Sequence, residues 1–308
     1  MTPPKITIII PCKNTGHTIQ KTFDSIRLQK YKNLECIVID GLSTDNTLDI
    51  IKYNEDIITY FISEEDQSPP DATNKGIKMS SGEIIGFLYA DDYLEEYALD
   101  DLSKALIKNP NYSIYSYGLS IEKLESKNVI FESSKKKNIS LNLNNILFKH
   151  VLNHFFRRKI FLKYGDLKSQ YFDNTIFFSN DREFMIRLAL NGEKNYVIEK
   201  VLYRMTTHIN SYTGNRQNIV KIRYEHIGIA EFYLNNKFLS AYKRKKLVDF
   251  KSHNLSLLLV FYIYKLDLKN IFFIFKKGYS NKKYYWLIDI MRCPVAEFLY
   301  RCSVKKWI

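Results

Sequence analysis

Residues 84–92 read Ile84-Ile85-Gly86-Phe87-Leu88-Tyr89-Ala90-Asp91-Asp92. A short continuous apolar run predicts a strand buried on both faces, the way strands of a parallel sheet read. This one ends on two adjacent carboxylates. Two neighbouring negative charges repel, so a folded site that holds both tends to require a cation. A hard divalent ion with oxygen ligands and phosphate fits. The same pair suits a solvated loop with an acidic helix start, because Asp favours first turns. The surrounding sequence has to decide between the two.

The pattern recurs upstream. Ile6-Thr7-Ile8-Ile9-Ile10 is an apolar run stopped by Pro11, and Cys36-Ile37-Val38-Ile39 is another, ending at Asp40-Gly41. A third strand is predicted over 57–62. Helix signals lie between these runs. Thr18 can cap a helix that carries Ile19, Phe23 and Ile26 on one face. Asp45 or Ser43 can cap the next, with Leu48 and Ile51 turned inward. A short helix is predicted from about Asp71 to Met79, ended by Gly82. Leu99, Leu102 and Leu106 mark one face of a further helix that stops near Pro110. Repeated β-α-β units give a parallel sheet with right-handed crossovers, and in open α/β sheets ligands bind beyond the carboxyl ends of the strands. The polar residues fall at those ends: Lys13-Asn14, Asp40, Glu64 with Asp66, and Asp91-Asp92. This convergence on one rim brings the ligand-binding reading of Asp91-Asp92 level with the solvated one.

From about 111 to 215 the pattern is less regular, and 133–144 reads as an exposed loop of Lys, Ser and Asn. Asn180-Asp181 precedes a helical stretch with Phe184, Leu188 and Arg187. On the residues alone Asp181 reads first as a helix N-cap. From about Asn218 onward the chain is helical, basic and aromatic. Lys243-Arg244-Lys245-Lys246 and Lys276-Lys277 flank apolar stretches such as 255–263.

Several of these clusters together resemble family 2 glycosyltransferases. Ile8-Ile9-Ile10-Pro11-Cys12-Lys13-Asn14 is similar to that family's opening strand, and Val38-Ile39-Asp40-Gly41-Leu42-Ser43-Thr44-Asp45-Asn46-Thr47 to its second-strand motif. Ser63-Glu64-Glu65-Asp66-Gln67 with Asp71-Ala72-Thr73-Asn74-Lys75-Gly76-Ile77 resembles a third segment. Ser81 to Asp92 resembles a fourth, and Asn180-Asp181 with Arg187-Leu188 and Gly192 the general-base segment. The resemblance covers residues 5 to about 212. It implies a GT-A-like, Rossmann-type α/β fold with a mostly parallel sheet flanked by helices, followed by a C-terminal helical region. The implied domains are 1–215, with a nucleotide-sugar half to about 110 and an acceptor half from about 111, and a helical region over 216–308.

The implied activity is inverting transfer from a nucleoside diphosphate sugar, a UDP-sugar foremost, to a glycan or polyprenyl/lipid-linked acceptor in surface polysaccharide synthesis. Asp181 corresponds to the catalytic base. Pro11, Lys13, Asn14, Asp40, Glu64, Asp66, Asp71, Lys75 and Asp91 would surround the nucleotide sugar. Asp92, with Asp91, would hold a divalent metal, Mn2+ or Mg2+. His208 could reach the metal as a late His does in related enzymes. The first acidic position of the family's DxD signature is Tyr89 here, which makes Asp92 the primary metal ligand expected and leaves Asp91 to the ribose. Leu42 stands where a Gly is usual, and Pro69-Pro70 replaces a Gly-Ile-Tyr. His150 and His154 flank an aromatic-Arg segment at a spacing that fits neither.

Composition narrows the partners. The chain has 308 residues, enough for one large core or two modest ones. Its apolar and charged fractions are ordinary, which argues against global disorder. The formal net charge of +13 suggests an anionic partner. No nucleic-acid-binding motif accompanies that charge. Cys12, Cys36, Cys293 and Cys302 form no CxxC pair and suggest a reducing compartment. The start lacks a signal-peptide pattern. The longest apolar run, 255–263, is about half of the roughly 18 to 20 residues that span a bilayer. Apolar residues beside Lys/Arg clusters suit an interfacial helix on an anionic leaflet, so a cytoplasmic protein peripheral to the inner face of the membrane is expected. The competing readings are a non-catalytic nucleotide or anion binder and a membrane scaffold, neither of which needs Asp181.

Overall fold

A computed structural model of the chain describes residues 3–133, 141–144, 152–165, 171–207, 216–265 and 267–279. It divides into two compact units, Met1–His208 and Ile209–Ile308.

The first unit opens with β1 (Ile6–Cys12), α1 (Ile19–Leu28), β2 (Leu34–Asp40) and α2 (Thr47–Tyr53). A single 3-10 turn, Glu55–Ile57, leads to β3 (Tyr60–Ser63), α3 (Pro69–Met79) and β4 (Ile84–Phe87). The strands stand side by side as β3-β2-β1-β4, all parallel. Their carboxyl ends therefore share one edge. Ile6, Ile8, Ile9 and Ile10 are at most 1% exposed, as a strand covered on both faces requires. α3 crosses β1 so closely that a methyl at Gly76 would meet Ile9 Cγ2 at 2.4 Å. Ile19, Phe23 and Ile26 are buried as their spacing predicts, and so are Leu99, Leu102 and Leu106. Leu48 is not. Thr47 and Ile51, one turn apart, take the inward stripe of α2, which turns Leu48 outward to 38% exposure.

The remainder of the sheet is mixed. It adds β5 (Tyr93–Leu94), β6 (Ile114–Lys123), β7 (Val129–Ser133), β8 (His154–Arg157) and β9 (Asn195–Thr207). Beyond β4 the order is β8-β6-β9-β5, with β7 on β6. β8 is antiparallel to both β4 and β6, β5 to β9, and β6 runs parallel to β9. The helices of this half are α4 (Ala98–Lys108), α5 (Arg158–Tyr164) and α6 (Asn180–Leu190). An aromatic cluster seats α6. Phe184 lies 4.9 Å from Phe172 and 5.5 Å from Phe161, centroid to centroid, and Phe87 of β4 lies 5.6 Å from Phe172. Such pairs contribute about 0.5–1.5 kcal/mol each beyond the area they bury.

The second unit contains α7 (Arg216–Leu234), α8 (Ala241–Tyr264) and α9 (Leu268–Tyr279). Its core is Ile227, Leu255, Leu258, Leu259, Tyr262 and Ile274. The apolar run at 255–263 thus supplies a helical core, not a lipid-facing stripe. No helix among the described residues is long and apolar enough to cross a membrane.

Candidate active site at the carboxyl edge of the sheet

The loops after β1, β2 and β3 are stitched together by Asp40. Its carboxylate is fully buried. It accepts from Cys12 Sγ at 3.7 Å, Ser43 N at 3.0 Å and Ser63 Oγ at 2.7 Å, and from the Ser43 hydroxyl. Those donors occupy both oxygens. Asp40, expected at the nucleotide pocket, thus also braces the rim from below. Burial, reinforced by the Asp40 charge, pushes the Cys12 thiol far up, so it stays protonated and donates. Asn14 joins the same two loops: its Oδ1 accepts from Thr44 N at 2.8 Å, and its own N–H donates to Ser43 Oγ at 2.8 Å. Asn14 has φ 52°, a left-handed conformation that Asn tolerates. Leu42 has φ 56° without that tolerance, a local strain of order 1–3 kcal/mol.

Pro11 is half-buried in β1, and Lys13 is exposed on the rim. A methyl at Gly41 would meet Asp66 Oδ2 at 2.7 Å and Lys13 Cδ at 3.3 Å, so both side chains lean over that glycine. Lys75 of α3 lies 3.0 Å from Glu64, 2.9 Å from Asp66 and 3.3 Å from Asp71, and donates to Glu65 C=O at 3.0 Å. Three carboxylates around one ammonium leave that cluster net negative. Lys75 was expected to serve the nucleotide sugar directly; here it orients acidic groups. Burial raises the Asp66 carboxyl above its ordinary range although Lys75 and Lys13 act against the shift.

The Asp91-Asp92 turn is fastened to β9. Asp92 is 2% exposed. Its Oδ2 accepts from Tyr203 OH at 2.6 Å and its Oδ1 from Thr206 N at 2.8 Å. The main chain is held as well: Thr22 Oγ1 donates to Asp92 C=O at 2.8 Å and Thr206 Oγ1 to Asp91 C=O at 2.5 Å. The expected primary metal ligand is thus turned into the protein, with both oxygens engaged. Burial, with Asp91's charge added, pushes its carboxyl up; burial and Asp92 push Tyr203 up. Asp91 is half-buried, more exposed than its neighbour.

Tyr89 links this turn to the candidate base. Burial raises its phenol, and the charges of Asp181, Asp92 and Asp91 raise it further, in that order. Tyr89 N donates to Tyr203 OH at 3.3 Å, the same hydroxyl that donates to Asp92. Asp181 is not the helix cap. Ser179 holds that position, buried, its hydroxyl without a hydrogen-bond partner among the described residues. Asp181 sits in the first turn, where Oδ1 accepts from Arg182 N at 2.7 Å. Arg187 has a structural place. It donates to Tyr164 C=O at 2.6 Å, Tyr171 C=O at 2.9 Å and Glu183 at 2.7 Å. His154 is buried in β8 and stacks on Phe156 at 5.9 Å. His150 and His208 lie outside the described residues.

Among the described residues no group of three or more His, Cys, Asp or Glu is arranged to hold a metal ion. A divalent ion of the Mg2+ type is commonly held by one or two carboxylates together with substrate phosphates. Asp91, half-buried in the turn after β4, is the carboxylate of the pair that suits such a role. Tyr203, Thr206 and Thr22 were missed in the sequence. Only the β-branched and aromatic character of 201–207 hinted at the strand that carries the first two.

Comparison with known proteins gives a consistent set. The family model described as Glycosyl transferase family 2 matches residues 7–165. The chain is 29% identical over 217 residues to the poly(ribitol-phosphate) beta-N-acetylglucosaminyltransferase TarP of Staphylococcus aureus (strain N315). That alignment covers 68% of this chain and 64% of TarP, so the chain spans less than two thirds of that relative. It is 28% identical over 252 residues to the GalNAc(5)-diNAcBac-PP-undecaprenol beta-1,3-glucosyltransferase of Campylobacter jejuni, covering 79% of this chain and 78% of the other. S. aureus TarS 1–349 in complex with UDP-GlcNAc matches in structure with a TM-score of 0.61 at 18% identity, over 91% of this chain and 93% of that one. At such identity the likeness is one of fold.

Proposed function

The chain belongs to glycosyl transferase family 2, and on that premise we propose that it moves a sugar from a nucleoside diphosphate sugar, a UDP-sugar foremost, to a hydroxyl of a glycan or lipid-linked acceptor of a surface polysaccharide, with inversion. The observation that carries the reading is the shared carboxyl edge of β1, β2, β3 and β4, beyond which Lys13, Asp66 and the Asp91-Asp92 turn follow. Asp181, in the first turn of α6, is the base candidate that goes with this edge.

Each group then has a task set by its surroundings. Asp66, steadied by Lys75, presents a carboxylate that suits the N–H and hydroxyl donors of a nucleoside. The exposed Lys13 can meet phosphate oxygens as a point charge. Asp91 would hold Mg2+ or Mn2+, which when bound supplies positive charge to the departing diphosphate. Asp181 accepts the proton from the acceptor hydroxyl as that oxygen attacks the anomeric carbon. The first turn of α6 favours a negative charge there. Attack from the face opposite the leaving group inverts the centre.

The test is release of UDP from a panel of UDP-sugars, with acceptor extracts, in Mn2+, Mg2+ or EDTA. Metal-dependent release is expected. Asp181→Asn should keep UDP affinity within about threefold while transfer falls by about 10²-fold or more. Full transfer by that variant would move the base elsewhere. No release from any donor would favour a non-catalytic binder.

A membrane surface is the remaining partner we propose. The turn between α7 and α8 exposes Phe238 at 97%, and the helix ends on either side expose Phe232 at 71% and Tyr242 at 53%. Lys237, Lys243, Arg244, Lys245 and Lys246 lie beside them, with no Asp or Glu from Asn235 to Lys246. Aromatic tips among basic groups suit an anionic lipid interface.

A further inference from the structure

Asn74 lies on α3 between Asp71 and Lys75, and it is 2% exposed. Its side chain makes four hydrogen bonds, the working capacity of an amide. Nδ2 donates to Phe172 C=O at 2.9 Å and to Asn174 Oδ1 at 3.0 Å. Oδ1 accepts from Tyr171 N at 3.0 Å and Phe172 N at 2.9 Å. All of its partners belong to one irregular segment about a hundred residues away. That segment leads into α6 and Asp181. Arg187 ties the same segment back to α6 through Tyr171 C=O, and Phe172 packs on Phe184, one turn beyond Asp181.

We infer that Asn74 is a positioning residue that sets Asp181 at a fixed distance from the nucleotide rim. One face of α3 carries Lys75 and Asp71, which order the acidic cluster of the rim. Asn74, on the neighbouring face, grips the segment that delivers the base. A displacement of the rim and a displacement of the base are thereby coupled through a single side chain. The aromatic cluster can bury α6 but gives it little register, since apolar contact is non-directional. A buried amide is no more stabilising than an apolar side chain of its size. What four directed bonds add is a defined position for backbone that has no ladder of its own. In the reaction, a shift of about 1 Å between base and donor can cost about 10²-fold in rate.

The inference rests on Asp181 being the base, and its test separates the two claims. Asn74→Ala removes all four bonds. Asn74→Asp keeps the shape and the oxygen that accepts two bonds but turns the nitrogen that donates two into an oxygen facing Phe172 C=O and Asn174 Oδ1. Asn174→Ala removes one bond and serves as the mild variant. In the full chain, UDP affinity is expected to stay within about threefold of wild type while kcat for transfer from UDP-sugars falls about 10- to 100-fold for the Asn74 variants. Hydrogen exchange should rise at the amides of 171–181 and stay unchanged in β1 and β2. The Asn74→Asp loss should shrink as pH is lowered, because the protonated carboxyl regains one donor. Folded variants with wild-type kcat and wild-type exchange would overturn the proposal. So would a kcat that holds while UDP affinity falls, which would assign Asn74 to the donor pocket. Should neither Asn74 variant fold, Asn174→Ala decides by the same kcat and exchange readouts. If wild type itself transfers no sugar, the functional reading fails, and the exchange data alone decide whether Asn74 holds the segment.

Discussion

Asp91 and Asp92 are neighbours with opposite assignments. In sequence they are equivalent, and the resemblance favours Asp92 for the metal. Our proposal of Asp91 instead rests on Tyr203 and Thr206, which lie 111 and 114 residues beyond Asp92 and donate to its two oxygens. No local pattern could have revealed that. Asp40 teaches the same lesson, for the strand-end rule put it after β2 and could not say that its oxygens accept from Ser43 and Ser63. Asp92→Ala leaves the Tyr203 hydroxyl and the Thr206 N–H unmatched in the interior, and chemical unfolding should show a loss of about 2–4 kcal/mol. Asp91→Asn should change stability by less than about 1 kcal/mol while abolishing metal-stimulated UDP release. Equal destabilisation by both would return Asp92 to the ligand face. At the far end of the strands, Glu35 is fully buried. Burial pushes its carboxyl up, but hydrogen bonds from Lys5, Ser81 and Thr7 outweigh it and hold the group at about 2. Because the folded value lies below the ordinary one, its stabilisation is complete above about pH 4.5 and is lost as pH falls toward 2. Melting temperatures of wild type and Glu35→Gln should therefore converge between pH 5 and pH 2. A constant gap would mean that the ion pair is not what holds the group.

At the scale of elements, the donor half was legible because its signals are local and strong. Buried parallel strands are continuous apolar runs, and α1 and α4 carry one clean apolar face each. The errors have physical causes. α2 turned by one position because Thr47, a polar residue, took the inward place. The 3-10 turn at Glu55–Ile57 absorbed the start of the predicted third strand. β6 and β9, the longest described strands, went unread: β9 carries the extra residues where the pairing shifts register, which breaks its alternation, and β6 is buried on both faces but interrupted by Ser116, Gly118 and Ser120. The interval between the donor half and Asp181 was thus the least readable part. Glycine substitution tests these elements. A methyl at Gly86 would meet the Phe155 ring at 2.1 Å and drive β4 from β8, so Gly86→Ala should cost about 1–3 kcal/mol or more. Gly228, inside α7, has nothing within 4 Å of that position. Gly228→Ala should stabilise the helical unit by about 0.5–1 kcal/mol. Opposite signs in one denaturation assay are the expected result; a neutral Gly86→Ala would show that the β4–β8 contact is loose.

At the scale of the molecule, the GT-A expectation is met by fold and family together, while the +13 charge still has no partner in the sugar-transfer chemistry. The net-negative cluster at Lys75 does not use it, and one diphosphate needs few cations. The turn between α7 and α8 offers a destination, and its construction argues for a purpose. Arg244 donates to Leu234 C=O and Asn236 C=O, both at 2.9 Å, closing the end of α7. Phe238 N donates to Asn236 Oδ1 at 2.9 Å, and Ser240 caps α8 by accepting from Lys243 N at 3.3 Å. A turn held this firmly nevertheless leaves an entire phenyl ring in water. Inserting that ring below anionic headgroups would recover its apolar area, while each nearby Lys or Arg adds about 1 kcal/mol at low salt. Wild type should sediment with vesicles of phosphatidylcholine and phosphatidylglycerol, less so as salt rises, and little with phosphatidylcholine alone. Lys237→Glu with Lys245→Glu should weaken that partition by more than about tenfold. Phe238→Ser should weaken it while keeping the salt dependence, since it removes area and leaves charge. Binding that ignores lipid charge, or that survives both changes, would place the anionic partner of this chain elsewhere.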